Sequence, residues 1–274
     1  MGVFTWNIQM KIFLLIGFAA LFFPVCAGEL RIVSYSPALT ELVCHLQKEQ
    51  CLVGRSVSCD RPGSVKKLPA VGDFGKPDLE KLARLKPDLV LADTFQDAAI
   101  RRSMEALGIR VVVLPLNSMA DYRHAVKTLG DRLDAPRSKE ELQRVDTILA
   151  DFKRRHPAGK KCPSVMYVVW HTPMMLPGRQ SFLTEWIRLA GGDPLGKAHD
   201  RSYFRAAPEW VLKMKPDILI FPGGDPAAIP AWWKSLPAVR NKKIFFPEDE
   251  SLFYRLSPRF DRALAELEKM IGQK

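Results

Sequence analysis

Apolar positions fall into two rhythms along the chain. Short runs of β-branched and aliphatic residues alternate with longer stretches in which apolar residues recur every three or four positions. Residues 31–34, 52–54, 88–92 and 109–114 read as strands. They are nearly continuous in apolar character rather than alternating, which marks parallel strands covered on both faces by helices. Ser36 followed by Pro37 predicts a helix start, with an N-cap and then proline at the first helical position. A second helix is predicted over 98–107. Beyond Asp134-Ala-Pro136, the run Ser138-Lys-Glu-Glu141 predicts a capping box that opens a helix to about His156. Leu142, Val145, Ile148, Leu149 and Phe152 form one stripe on it. At about 1.5 Å per residue that helix is nearly 30 Å long. The α/β rhythm then restarts. Strands are predicted over 165–170, 217–221 and 244–246, and helices over 182–189 and 258–271, the first of these helices ending at Gly191-Gly192.

A repeat links the two halves. Leu79-Glu80-Lys-Leu-Ala-Arg-Leu-Lys86-Pro87-Asp88 matches Pro208-Glu209-Trp-Val-Leu-Lys-Met-Lys215-Pro216-Asp217. In each copy a glutamate opens a helix and a Lys-Pro-Asp turn leads into a strand. Generic α/β grammar accounts for part of this, because proline ends helices and glutamate favours their first turns. The matched spacing over the whole segment favours two related lobes. The expected architecture is therefore α/β, with two Rossmann-like lobes of parallel sheet bridged by one long rigid helix. The N-terminal lobe spans 28–136, the linking helix 137–157 and the C-terminal lobe 158–274. Two lobes imply a cleft.

The first 27 residues do not fit this scheme. They carry one charged side chain, Lys11, ahead of the apolar run 12–23 and then Pro24-Val-Cys-Ala27. Twelve apolar residues are too few to cross a hydrocarbon core, which needs about 20. A positive residue, a short apolar run and small residues before the cut predict a cleaved signal peptide and export to the periplasm. Cys26 offers the alternative of a lipid anchor, but Phe23-Pro24-Val25 lacks the small residue expected ahead of a lipidated cysteine. Export implies an oxidising compartment, where disulfides persist. Cys44 and Cys51 flank a short connection and form the disulfide candidate. Cys59 and Cys162 could pair or stay as thiols.

Composition excludes disorder: 47% of residues are hydrophobic and 26% charged. The formal net charge of +11 raises the question of nucleic acid, but the basic residues are dispersed, with only short clusters at Lys153-Arg-Arg155 and Lys160-Lys161. No basic platform interleaved with aromatics is present, so nucleic-acid binding is not expected. Gly191-Gly-Asp-Pro-Leu-Gly196-Lys197 has the spacing of a phosphate-binding loop, but Ala198 stands where a hydroxyl should hold magnesium. The paired glycines read better as a helix C-cap. No nucleophile elbow, zinc-protease helix or dinucleotide fingerprint occurs. Cysteine and histidine spacing does not suggest zinc. His124 and His156 are expected on solvated helix surfaces. Trp170-His171-Thr-Pro-Met174-Met175 follows a strand end, where clefts in α/β lobes form.

Taken in order, Arg31-Ile-Val-Ser-Tyr-Ser36-Pro37-Ala38, Leu52-Val-Gly54, Cys59-Asp60-Arg61-Pro62, Leu68-Pro-Ala-Val-Gly72, Pro77-Asp-Leu-Glu80, Leu189-Ala-Gly-Gly192, Pro208-Glu209 and Ser257-Pro258-Arg259 resemble the periplasmic binding proteins for iron–siderophores, haem and cobalamin. The likeness covers essentially the whole chain after the signal peptide and is strongest to the cobalamin binders. It implies a monomer that holds a cobalt or iron chelate between its lobes, a corrinoid as first choice with haem or a ferric siderophore as the alternative, and delivers it to the permease dimer of an ABC importer, without catalysis. It also implies that Glu80 and Glu209, one on each lobe, dock onto permease arginines. Charge-assisted pairs of that kind would register a two-fold partner.

For the ligand, the resemblance points to Pro37, Ala38, Arg61, Gly72, Phe74, Trp170, His171, Tyr203, Phe253 and Arg255, with His171 or Tyr203 as a candidate axial ligand to the metal. Arg61 stands where the cobalamin binders have tyrosine, and Phe74 and Tyr203 stand where they have tryptophan. Ser251 replaces an acid of theirs. The two arginines would suit a ligand with carboxylates or other anionic groups. The competing class is a secreted α/β hydrolase or chelatase-like enzyme, for which Ser36 is the only nucleophile considered.

Overall fold

The computed structural model describes residues 30–73, 76–94, 98–157, 159–224, 229–247 and 249–273. The expected signal peptide and Phe74 lie outside the described residues. Among the described residues no helix is long and apolar enough to cross a membrane.

The N-terminal half begins with β1 (Ile32–Ser34), α1 (Pro37–His45) and β2 (Leu52–Arg55). A hairpin of β3 (Gly72–Asp73) and β4 (Lys76–Pro77) leads to α2 (Leu79–Leu85) and β5 (Leu89–Ala92). Then come α3 (Ala98–Ala106), β6 (Arg110–Val113) and α4 (Met119–Arg132). After α5 (Arg137–Arg155), the second half runs β7 (Ser164–Tyr167), β8 (Trp170–His171), β9 (Met174–Pro177), α6 (Phe182–Leu189) and β10 (Asp193–Pro194). It closes with β11 (Tyr203–Arg205), α7 (Pro208–Met214), β12 (Ile218–Ile220), α8 (Pro237–Arg240), β13 (Ile244–Phe245) and α9 (Phe260–Gly272).

Two four-stranded parallel sheets result, ordered β2-β1-β5-β6 and β10-β7-β12-β13. Within each half the order is second, first, third, fourth. The repeated segment also does the same work twice. Lys86 and Lys215 cap α2 and α7 in the left-handed conformation, with φ of 46° and 49°. Asp88 and Asp217 then reach back to the start of the first strand of their own half. The Asp88 carboxylate accepts from the Arg31 N–H at 2.9 Å, and the Asp217 carboxylate accepts from the Ser164 N–H at 2.9 Å. The spacing is thus explained by one turn that caps a helix and anchors the neighbouring strand.

α5 is 19 residues long and sits inside a core shared by both halves. Val145 and Phe152 on it are buried among residues of α1 and α4 on one side and α6 and α9 on the other, including Leu42, Tyr122, Trp186 and Leu264. Each such fully buried side chain contributes about 1.5–3 kcal/mol. Polar contacts cross the same seam: the Met119 N–H donates to Glu185 at 2.8 Å. Packing on both sides of α5 is what stiffens the link between the sheets.

The helix does not start as expected. Pro136 is the N-cap residue and makes no side-chain cap, so Ser138 lies inside the helix. An added Cβ on Gly130 would meet the Ser138 hydroxyl at 2.3 Å, so α4 and α5 cross closely there. Glu141 caps nothing and is buried. The predicted strand 165–170 is also divided. β7 ends at Tyr167, and β8 joins a separate antiparallel sheet ordered β11-β9-β8.

Candidate functional site

Both parallel sheets point their C-terminal ends toward one another, and the loops leaving them meet. The loop after β2 carries Asp60 and Arg61, and the segment after β13 carries Asp249, Arg255 and Arg259. Arg255 donates to Asp60 at 2.9 Å and lies 3.4 Å from Glu41 of α1. Arg259 donates to Glu41 at 2.8 Å and approaches Asp249 at 3.7 Å. Arg61 reaches Asp249 at 3.9 Å. Every one of these pairs except Arg259–Asp249 joins one half of the molecule to the other. Burial alone would raise the Asp60 pKa, but the hydrogen bond and charge of Arg255 hold it below the usual carboxylate range. A hydrogen bond from Ser251, with the charges of Arg61 and Arg259, lowers that of Asp249.

These arginines are not fully satisfied. Arg61 Nε and Arg255 Nη1 are buried atoms with no hydrogen-bond partner among the described residues. A buried donor without an acceptor costs about 1–3 kcal/mol, more when charged. Orphans of this kind on two facing loops mark a place where a bound anion would repay the desolvation.

Aromatic residues flank this polar floor. In the β11-β9-β8 sheet Trp170 is opposite Met175, Arg205 is opposite Met175 and Tyr203 is opposite Pro177. Side chains alternate between faces along a strand, so Trp170, Tyr203 and Arg205 share one face. Trp170 is 59% exposed and Tyr203 38%. Tyr254, beside Arg255, is 61% exposed and donates its hydroxyl to Glu250. Tyr167, at the end of β7, is fully buried, which pushes its phenol pKa well above the ordinary value, and the proximity of Tyr203, Tyr254 and Glu250 adds to the shift.

The same register separates the two candidate axial ligands. His171 is opposite Met174, three residues from the partner of Tyr203, so the two lie on opposite faces about 10 Å apart along the strand. His171 stands edge-on to Phe221 and lines a concavity of about 610 Å³ with Met174, Pro208 and Trp232. By register its Cβ starts on the face opposite Trp170 and Tyr203, yet its ring lies 5.9 Å from that of Trp170.

Other expected ligand residues are placed differently as well. Phe253 is 1% exposed and packs its ring 6.1 Å from that of Tyr167, so it is core, while its neighbour Tyr254 faces outward. Ala38 is 2% exposed on the buried side of α1, and Pro37 is half-buried at its first position. Gly72 adopts φ +95°, and an added Cβ would meet the Lys76 carbonyl at 2.4 Å. Its role here is to close the β3–β4 hairpin. Ser36 is buried, caps α1 and donates to Asp93 at 2.8 Å, which leaves it no path to act as a nucleophile. Asp93 at the end of β5 has its pKa raised by burial.

Cys44 and Cys51 are not bridged in this structure. Burial, then Glu49, Glu41 and Cys59, push the Cys44 thiol up to about 12. Cys59 is buried behind the Asp60–Arg61 loop, with Thr40 Oγ1 at 3.1 Å and Ser56 Oγ at 3.2 Å. His156 is not simply solvated: it lies 2.6 Å from Glu268, and its ring packs on Gly191. His124 is exposed, as expected. Glu80 and Glu209 are exposed at the second position of α2 and α7, and Glu80 pairs with Arg84 at 2.8 Å.

Sequence reasoning missed Glu41, Asp249 and Tyr254. Arg259 was visible within Ser257-Pro258-Arg259, but its partner lies 218 residues away. No local periodicity tells which of Phe253 and Tyr254 in a turn faces outward.

Known proteins share this architecture. The high-affinity heme uptake system protein IsdE of Staphylococcus aureus is 24% identical over 260 residues, covering 88% of this chain and 87% of its own length. An ABC transporter substrate-binding protein from Listeria monocytogenes EGD-e superposes with a TM-score of 0.76 at 26% identity, over 90% of this chain and 100% of its own. The periplasmic vitamin B12 binding protein BtuF of Vibrio cholerae gives a TM-score of 0.77 at 20% identity, over 88% and 96%. The family described as "Periplasmic binding protein" matches residues 32–250. With two four-stranded parallel sheets and a match over most of its length, the chain belongs to the periplasmic binding protein family, whose members here are substrate-binding transport proteins.

Proposed function

We propose that this protein captures a flat metal chelate bearing anionic groups in the cleft between its lobes and passes it to an ABC importer. The observation that carries this reading is the pair of buried, unpartnered donors on Arg61 and Arg255, set beside the exposed rings of Trp170, Tyr203 and Tyr254. Guanidinium groups match carboxylates, and aromatic walls suit the faces of a macrocycle. A haem-type chelate meets both demands, and Tyr203 is the axial candidate that shares a face with Trp170. The lobes divide at residues 28–136 and 158–274, with 137–157 between them. Glu80 and Glu209 serve as the docking charges for the permease dimer. The working compartment is the periplasm, reached by removal of residues 1–27.

A corrinoid is the second reading, favoured by the same aromatic wall. Visible absorption spectra after mixing with haem, cobalamin and ferric siderophores separate the two. A retained and shifted haem spectrum, lost in Arg61→Ala/Arg255→Ala, is the expected result. Retention of cobalamin alone would replace the first reading with the second. Retention of none would overturn both.

A further inference from the structure

The end of α5 builds a second concave site, of about 700 Å³, far from the cleft. It lies where Cys162 and Asp193 enter β7 and β10, at the N-terminal end of the second sheet, whereas the cleft lies at the C-terminal end. Its lining brings together Lys153 of α5, Lys160 and Lys161 of the following loop, and Arg188 of α6. None of these four has an ion-pair partner among the described residues. Three further side chains on the rim already have acidic partners. Arg155 pairs with Asp151 and Glu268, His156 with Glu268, and Lys197 with Asp193.

Helix ends explain part of this arrangement. Lys153 and Arg188 lie in the last turns of α5 and α6, where carbonyl groups favour cations. Lys160 and Lys161 lie beyond both helices, so the dipole does not account for them. Other cations of this basic surface pair with acids, as in Arg84–Glu80 and Lys127–Asp131, or stand singly; these four are set apart by lining one hollow together. Gathering four unmatched cations around one hollow raises its self-repulsion, which a bound anion relieves. The wall between them is smooth: Gly191 and Gly192 line it, and the His156 ring lies on Gly191, where an added Cβ would stand 2.5 Å from Nδ1. The volume is that of a small-molecule site. Lysines grip phosphate as point charges without the fork geometry that carboxylates reward.

We infer that this hollow binds an anion bearing two or more phosphate groups, independently of the cleft. The probe is inorganic tripolyphosphate, titrated calorimetrically into the protein lacking its signal peptide at low and high salt. One-to-one binding that weakens with salt is expected. Lys160→Glu/Lys161→Glu should weaken it by about tenfold or more, and Lys160→Arg/Lys161→Arg should retain it. Arg188→Glu, on a different element, should weaken it as well. Cosedimentation with vesicles of phosphatidylcholine and phosphatidylglycerol identifies the source of the phosphates. Binding of tripolyphosphate alone assigns a free anion, and charge-dependent vesicle binding assigns lipid headgroups. Absence of both, or binding that the charge reversals leave unchanged, overturns the inference. Chelate spectra of the same variants report on the cleft separately, so this inference and the proposed function can fail independently.

Discussion

Replacing Glu141 by glutamine tests the account of how the lobes are joined. Its carboxylate is almost wholly buried and accepts from His45 Nε2 at 2.8 Å, Tyr122 Oη at 2.7 Å, and Arg144 at 2.7 and 2.9 Å. Arg144 in turn donates to the Pro258 carbonyl at 2.7 Å and pairs with Asp261 at 3.0 Å. One carboxylate therefore ties α1 and α4 of the first lobe to α5, and through Arg144 to the start of α9. Burial alone would raise the Glu141 pKa, but the hydrogen bonds from His45, Arg144 and Tyr122 outweigh it and hold the value at about 2, against 4.5 unperturbed. That difference corresponds to about 3 kcal/mol of stability. Because the folded value is the lower one, the contribution is complete above pH 4.5 and is lost as pH falls toward 2. Glutamine keeps the shape and can still accept from Tyr122, but it removes the charge facing Arg144. In thermal unfolding at neutral pH, Glu141→Gln should lower Tm by about 6–12 °C. The difference between the two proteins should shrink as pH falls from 4.5, where the carboxylate of the unfolded chain protonates, toward 2, where the folded one does. A variant within about 0.5 kcal/mol of wild type at neutral pH, or one whose loss is the same at every pH, would refute this role.

Two further outcomes follow from the geometry. Reversing the charges of Glu80 and Glu209 together should abolish chelate import by cells while leaving the affinity of the purified protein unchanged, because both residues are exposed on α2 and α7 rather than in the cleft; normal import by the double variant would dismiss them as docking charges. Cys44 should react with iodoacetamide at pH 8 about a thousandfold more slowly in the reduced folded protein than after unfolding, since its thiol is pushed up to about 12 and the thiolate is the nucleophile; comparable rates, read by peptide mass spectrometry, would contradict the burial assigned to it.

What could be read from the chain depended on how local the cause was. The strands over 88–92 and 109–114 and the helix over 182–189 were legible because a continuous apolar run or a 3.6-residue stripe carries its own signal. The duplicated Lys-Pro-Asp turn was legible for the same reason, since cap, proline and anchoring aspartate sit within three residues. Glu141 misled because a Ser-x-x-Glu spacing suits a capping box. The helix had already begun at Arg137, and two side chains from other helices, His45 and Tyr122, claimed the carboxylate together with Arg144 of the next turn. In the cleft, Arg61 and Arg255 were identifiable only through the family resemblance. Their partners Asp249, Asp60 and Glu41 were fixed only by the fold, which pairs positions up to about two hundred residues apart. The face of a short strand was the hardest to read. Trp170 and His171 are neighbours in sequence, and only the pairing with Met175 and Met174 shows that their Cβ atoms start on opposite faces, although the two rings lie 5.9 Å apart.

The two charge clusters that cross between the lobes use the same chemistry for opposite ends. The carboxylate of Glu141 has almost no contact with water, so removing a partner leaves a buried charge uncompensated, a change that costs about 3–5 kcal/mol. In the cleft, the Asp60 side chain is 43% exposed and that of Asp249 33%. Pairs so close to solvent contribute about 1 kcal/mol or less, and at 3.9 Å the Arg61–Asp249 pair is the weakest of them. An anion entering the cleft could displace Asp249 from Arg61 at small cost and would meet donors that the empty protein leaves unsatisfied. The same exchange at Glu141 would unfold the junction. Lobe geometry is therefore held by the Glu141 cluster, by the buried Glu41 pairs with Arg255 and Arg259 and by packing around α5, and the exposed Arg61–Asp249 pair is the one most readily traded for a ligand. For the anionic chelate proposed above, selectivity would then reside in Arg61 and Arg255, and little binding energy would be lost to moving the lobes.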